Sequence, residues 1–123
     1  MTKSERVAIL GASKNPERYS YTAFKMLREY GHTPLLVTPK FSELEGFKAY
    51  ARLADVPGPV DTLTIYVGPE RSSQLLTEIV QLKPGRVIFN PGSENPEVQE
   101  ALKQAGIDFE EACTLVLLRT GQF

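Results

Sequence analysis

The chain has 123 residues, 41% of them hydrophobic, with 9 Gly, 9 Pro and one Cys, which suits a single domain over 1–123 that needs neither disulfides nor a structural metal. With 14 Lys plus Arg against 15 Asp plus Glu, the formal charge of −1 gives no general attraction for a polyanion, so no nucleic-acid partner is expected. No apolar run approaches the roughly 18 residues of a membrane span, and no basic-then-apolar leader opens the chain; the expectation is a cytoplasmic protein with no membrane partner.

Val7-Ala8-Ile9-Leu10 is apolar throughout and stops at Gly11, the pattern of a parallel strand covered on both faces. From Ser20, a candidate N-cap, the spacing of Ala23, Phe24 and Leu27 among charged Lys25, Arg28 and Glu29 predicts a helix that ends near Gly31. Leu35-Leu36-Val37 reads as a second strand ending at Thr38-Pro39. Lys40 to Pro59 mixes charge, Gly and Pro and is expected to be mostly loop, with a weak helical turn around Arg52 to Val56.

Thr62 to Val67, rich in β-branched and aromatic residues, predicts a third strand, and Gly68-Pro69 opens one helix with Leu75, Leu76, Ile79, Val80 and Leu82 as its buried stripe. Pro84-Gly85 breaks it and Arg86 to Phe89 forms a fourth strand. Asn95-Pro96-Glu97 is a strong helix start, followed by Val98, Ala101, Leu102 and Ala105 on one face and Gly106 as the stop. Ile107-Asp108-Phe109 is a short fifth strand. Cys113 to Leu118 is apolar and reads equally as strand or helix.

Strands alternating with helices imply an α/β fold: a doubly wound parallel sheet of about five strands in three layers. Ligands of such sheets bind outside the carboxyl ends of the strands, where strand order reverses. The loops to read are therefore Gly11 to Tyr19, Thr38 to Phe47, Gly68 to Arg71, Asn90 to Asn95 and Glu110 to Cys113.

The first loop lacks the glycines of G-x-G-x-x-G and of the P-loop. It keeps Gly11 for a tight turn, small Ala12, the Ser13 hydroxyl, and the cations Lys14 and Arg18 ahead of a helix N-terminus, a combination suited to a diphosphate or equally to an ordinary solvated turn. After the second strand, where an acidic residue would favour a free ribose 2′-hydroxyl, stands Lys40. A cation there speaks against NAD and for an adenosine carrying an extra ribose phosphate, with a plain surface lysine as the alternative.

The chain resembles the small stand-alone CoA-binding proteins of Rossmann-like fold, related to the CoA-binding domain of the succinyl-CoA synthetase α subunit. The resemblance rests on Gly11-Ala12-Ser13 with Asn15 to Ser20, on Val37-Thr38-Pro39-Lys40, on Gly46 to Tyr50 leading into Leu53 to Pro57, and on Val60-Asp61. Ile65-Tyr66-Val67 with Pro69, and Asn90-Pro91-Gly92, echo the synthetase domain. It implies that Gly11, Ala12, Ser13, Lys14, Asn15 and Arg18 surround a CoA diphosphate and that Lys40 meets the phosphorylated ribose. It further implies that Val67, Gly68 and Pro69 with Asn90, Pro91 and Gly92 flank the pantetheine arm. The chain departs from the family at Glu111-Ala112-Cys113 and its apolar sequel Thr114 to Leu118, and at Asn90 to Glu94, so the pantetheine side carries the weakest resemblance.

His32 is expected as an exposed turn residue on the side opposite the ligand edge. The synthetase's phosphorylated histidine belongs to a separate domain, so acyl-CoA synthesis is not implied. Cys113 reads as a small structural residue, with a mixed disulfide to a ligand thiol as the alternative. Glu110 and Glu111, if both lie on a strand, face opposite ways and make no acid–base pair. Tyr66 and Phe89 read as core or sheet residues. The expectation is non-catalytic binding of coenzyme A or acyl-CoA. The alternatives are an NAD(P)- or other adenine-nucleotide-binding enzyme or sensor, and a ligand-free scaffold that forms a homodimer through its apolar C-terminal segment.

Overall fold

The computed structural model describes residues 4–123. Its strands are β1 (Arg6–Leu10), β2 (Thr33–Val37), β3 (Glu43–Leu44), β4 (Phe47–Tyr50), β5 (Thr62–Ile65), β6 (Arg86–Phe89) and β7 (Asp108–Glu111). The helices are α1 (Tyr19–Glu29), α2 (Pro69–Gln74), α3 (Leu76–Leu82), α4 (Pro96–Ala105) and α5 (Thr114–Arg119), with a 3-10 turn at Leu53–Asp55.

The strands form one sheet in the order β3-β4-β2-β1-β5-β6-β7, parallel except for the β3–β4 pair. Side chains alternate across it. Val7, Ile9 and Leu36 pack under α1 and α5 with Phe24, Leu27, Leu115 and Leu118. Ala8, Leu10, Leu35, Val37, Leu63, Ile65, Val87 and Phe89 pack on the other face against Ile79, Val98 and Leu102 of α3 and α4. Two apolar faces on each central strand force helices onto both sides, giving the expected three-layer, doubly wound α/β fold.

Seven strands replace the expected five or so, and the two additional ones lie in the stretch read as mostly loop. Glu45 and Gly46 both take positive φ, +50° and +87°, and form a two-residue turn between β3 and β4. Such turns match the twist of paired strands, and Asn-Gly is their usual sequence, so Glu-Gly conceals the hairpin. The β4 strand then joins β2 in parallel, with Val37 opposite Tyr50. The helical turn expected around Arg52 to Val56 is the 3-10 turn.

Three other expectations change. Helix α1 starts at Tyr19 with Arg18 as its N-cap, and Ser20 is a buried helical residue, because the chain already turns at Asn15, whose carbonyl accepts the Arg18 N–H. The helix expected after Gly68-Pro69 breaks at Leu75 into α2 and α3; of its apolar stripe only Ile79 is fully buried, the others packing partly against the same core. His32 lies at the edge away from the strand ends, as expected, yet is only 6% exposed. Its Nδ1 accepts the Glu5 N–H at 3.0 Å and its ring lies 5.0 Å from that of Phe123. The undecided apolar run is helix α5, since Leu115 and Leu118 face α1 at a helical spacing.

Candidate functional site

Six strands end at one edge of the sheet, and strand order reverses between β1 and β5: β2 lies on one side of β1, β5 and β6 on the other. Gly11 occupies that point. Its φ is +91°, and a Cβ built on it would sit 2.8 Å from Val67 Cγ1, so only glycine lets the loop after β1 lie against the loop after β5. The Gly11 and Ala12 N–H groups both turn to the Val37 carbonyl, at 3.1 and 3.3 Å, which ties the β1 and β2 ends together.

The loop from Gly11 to Arg18 is organised by its own side chains. Ser13 Oγ accepts the Asn15 N–H at 3.0 Å, and Asn15 Oδ1 accepts the Glu17 N–H at 2.9 Å, two local turns that direct the chain into α1. Arg18 gives α1 no side-chain cap, and the Tyr19 and Ser20 N–H groups have no acceptor among the described residues. Together with the helix dipole they form a positive end at the sheet's reversal point. Lys14, Asn15 and Arg18 are exposed around it.

Lys40 stands on the adjacent loop, exposed, its N–H held by Thr38 Oγ1 at 3.2 Å. Lys14 Nζ lies 5.0 Å from the centroid of the Phe41 ring, which brings the cation of the first loop beside the segment that carries Lys40. Lys14, Arg18 and Lys40 form no ion pair with any described carboxylate. The edge is thus a strip of unneutralised cations and free amides.

On the other side of the reversal point, the loops after β5 and β6 are locked to each other by two buried asparagines. Asn90 Nδ2 donates to Thr64 Oγ1 at 2.7 Å and to the Ile65 carbonyl at 2.9 Å, while its Oδ1 accepts the Thr114 N–H at 2.9 Å. Asn95 caps α4 by accepting the Glu97 and Val98 N–H groups, and its Nδ2 donates to the Pro69 carbonyl and to Ser72 and Ser73 hydroxyls. The Asn90 amide is therefore occupied inside the protein, and it is Gly68, Pro69, Pro91 and Gly92 that are exposed at the rim, with Val67 half-buried beneath.

Tyr66 packs half-buried on the α1–α5 side of the sheet. Its hydroxyl has no hydrogen-bond partner among the described residues, and burial pushes its pKa up to about 12, so it stays a neutral O–H at any physiological pH. Cys113 is a free, half-buried thiol at the start of α5. Phe89 is fully buried. Glu110 and Glu111 both lie on β7 and go different ways, Glu110 toward Arg86 at 3.9 Å and Glu111 to Gln99 at 2.9 Å.

The structure thus brings the expected residues into two groups on one edge: Gly11 to Arg18 with Lys40, and Val67 to Pro69 with Pro91 and Gly92. Sequence reading missed the supports. Thr38, two residues before Lys40, carries the signature of a hydroxyl-closed turn, whereas the reach of Asn95 to Pro69 and the contact of Lys14 with Phe41 leave no local signal.

A mostly parallel, doubly wound sheet whose strand order reverses between β1 and β5 defines a Rossmann-like α/β protein. Residues 5–119 match the family profile described as CoA binding domain, and the chain belongs to that family. It is 26% identical over 106 residues to the uncharacterized protein YneT of Bacillus subtilis, spanning 86% of this chain and 78% of that one. It is 37% identical over 73 residues to the ADP-forming acetate–CoA ligase II subunit alpha of Pyrococcus furiosus, but spans only 16% of that subunit. Among solved structures, one of an uncharacterized protein superposes with a TM-score of 0.92 at 38% identity, over 99% of this chain and 100% of that one. A Thermus thermophilus protein superposes at 0.88 with 36% identity, over 98% and 91%. Among the described residues no helix is long and apolar enough to cross a membrane.

Proposed function

We propose that the chain is a single-domain, non-catalytic binder of coenzyme A or an acyl-CoA. The observation that carries this reading is the uncapped N-terminus of α1 at the reversal point, flanked by unpaired Lys14 and Arg18 and joined through Phe41 to the segment holding Lys40. CoA is a nucleotide with a diphosphate and a third phosphate on its ribose, and this edge supplies donors of the matching kind at two places. Amides of the loop after Gly11, with Ser13, Lys14, Asn15 and Arg18, would hold the diphosphate. Lys40 would meet the ribose phosphate, and the pantetheine arm would run between Val67-Gly68-Pro69 and Pro91-Gly92. An extended arm needs apolar walls and few polar groups, which those exposed Pro and Gly residues offer.

Thermal unfolding with and without ligand tests the reading. CoA at about 100 times its Kd should stabilise the protein by ~2.7 kcal/mol, a rise in Tm of about 10 °C for a chain of this size. Dephospho-CoA should bind less tightly, and Lys40→Glu should erase that difference by weakening CoA about tenfold or more. Equal affinity of the unmodified protein for both ligands overturns the assignment of Lys40. Retention of NADP rather than CoA, seen by native mass spectrometry of the purified protein, overturns the choice of ligand.

A further inference from the structure

Glu45 is a surface glutamate in a conformation that side chains avoid, with φ at +50°, in the turn between β3 and β4. Three donors from α1 converge on its carboxylate: Tyr21 Oη at 2.8 Å, Lys25 Nζ at 2.9 Å and Arg28 Nη1 at 3.0 Å. The Arg28 guanidinium is itself fixed, 4.8 Å from the centroid of Phe47 on β4 and 5.3 Å from that of Phe24 on α1. Hydrogen bonds from Lys25 and Tyr21 hold the Glu45 carboxyl at about 2, well below its ordinary range, so the contact stays charged over the whole working range of pH. A non-glycine residue keeps a positive φ only where its surroundings over-determine it, and such residues tend to mark function.

What the hairpin holds is the loop after β2. The Thr38 N–H bonds to the Tyr50 carbonyl and the Ala49 N–H to the Ser42 carbonyl, both at 2.9 Å, so the segment 38–42 is suspended at both ends from β4. Lys40 sits in the middle of it. The same helix that receives Glu45 presents its N-terminus to the reversal point. Glu45 therefore joins the helix that opens beside one cationic part of the edge to the hairpin that holds the other, alongside the pairing of β4 with β2.

We propose that Glu45 is a positioning residue: by latching the β3–β4 hairpin to α1 it holds Lys40 in place and sets how strongly this edge prefers a ligand with a ribose phosphate over one without. The inference rests on the binding of CoA proposed above. The hairpin's bonds give it a measurable consequence in the free protein as well.

The test uses Glu45→Gly, which removes the carboxylate while relaxing the positive φ, and Glu45→Gln, which keeps the length and loses the charge. Calorimetric titration with CoA and dephospho-CoA, well below the Tm of each variant, should show CoA weakened about two- to tenfold, the range expected when one side chain must be newly ordered on binding. Dephospho-CoA should be nearly unchanged, so the ratio of the two affinities falls. Amide hydrogen exchange in the ligand-free protein should speed up at Lys40 and Ala49 with β1 and β5 unchanged. An unchanged affinity ratio, with only a lower Tm, would overturn the inference and leave Glu45 a stabilising contact alone. If the unmodified protein binds neither ligand, the CoA reading fails by itself, and exchange at Lys40 decides the latch: unchanged exchange overturns it.

Discussion

Gly11→Ala is the sharpest probe of how the loops after β1 and β5 meet. The added methyl would arrive 2.8 Å from Val67 Cγ1, closer than atoms tolerate, and in ordinary contact at 3.4 Å with the Tyr66 carbonyl carbon, at a φ of +91°. The dihedral costs about 1–2 kcal/mol in any residue with a Cβ, and forcing a methyl into filled space adds about 1–3 kcal/mol. Val67 is half-buried and can give way in part, which puts the expected loss at about 2–4 kcal/mol. With an unfolding entropy near 2.1 cal/mol/K per residue, that lowers Tm by about 8–15 °C, read by differential scanning calorimetry. The two contributions separate in a double-mutant cycle. Val67→Ala removes the colliding methyl and should restore the steric part in the Gly11→Ala background, leaving the dihedral part of about 1–2 kcal/mol. Two results would refute the reasoning: a Gly11→Ala protein within about 0.5 kcal/mol of the original, or a double variant that shows no favourable coupling.

Asn95→Ala strips a cap from α4 and removes the amide donor shared by Pro69, Ser72 and Ser73, leaving the Pro69 carbonyl only the longer bond from Ser72 Oγ, so urea unfolding should show a loss of about 2–4 kcal/mol, and a loss under about 1 kcal/mol would contradict the bonding described. Glu45 has a carboxyl held at about 2 against an ordinary value of 4.5. Its contribution is therefore complete above the unfolded-state pKa and is lost as pH falls toward about 2. The Tm gap between the original protein and Glu45→Gln should persist from about pH 7 to 5 and close below about pH 3; a gap constant down to that pH rejects the assignment. Replacing Lys14, Arg18 and Lys40 together with alanine should abolish the rise in Tm caused by CoA. The ligand-free Tm should change by only a few degrees, since exposed, unpaired side chains each matter by about 0.5 kcal/mol or less. A triple variant still stabilised by CoA would remove these residues from the site.

What the sequence made legible were the features whose cause is local. Val7 to Leu10 could only be a strand buried on both faces, and Asn95-Pro96-Glu97 could only open a helix, because the hydrophobic run and the cap each carry their own reason. The hairpin at 43–50 escaped because its strands are 2 and 4 residues long and its turn is Glu-Gly. The longer of them, β4, exists by pairing with β2, a partner some 13 residues away in Leu36↔Ala49, and no local periodicity reports that. His32 differs from its expected exposure for the same kind of reason: Gly31 and His32 look like a solvated turn until Glu5 and Phe123 are brought over the ring by the fold.

The site divides along the same line. Asn90 looks like a loop residue suited to touching a ligand and Asn95 like a plain helix cap, and the amides they carry are consumed in joining β5, β6, α2 and α4. Buried polar groups of this kind are retained only when fully bonded, so they specify where Pro69, Pro91 and Gly92 stand rather than what those residues meet. Lys14, Arg18 and Lys40 have the opposite character: the fold gives them almost nothing to do, with a single aromatic contact among them. A protein gains no stability by gathering three unpaired cations beside an uncapped helix N-terminus, where like charges repel one another and the dipole. That arrangement is unfavourable in the free protein and would be relieved by a bound anion. The strip of cations, rather than any single residue in it, is therefore what supports the proposed binding of a ligand with more than one phosphate at this edge.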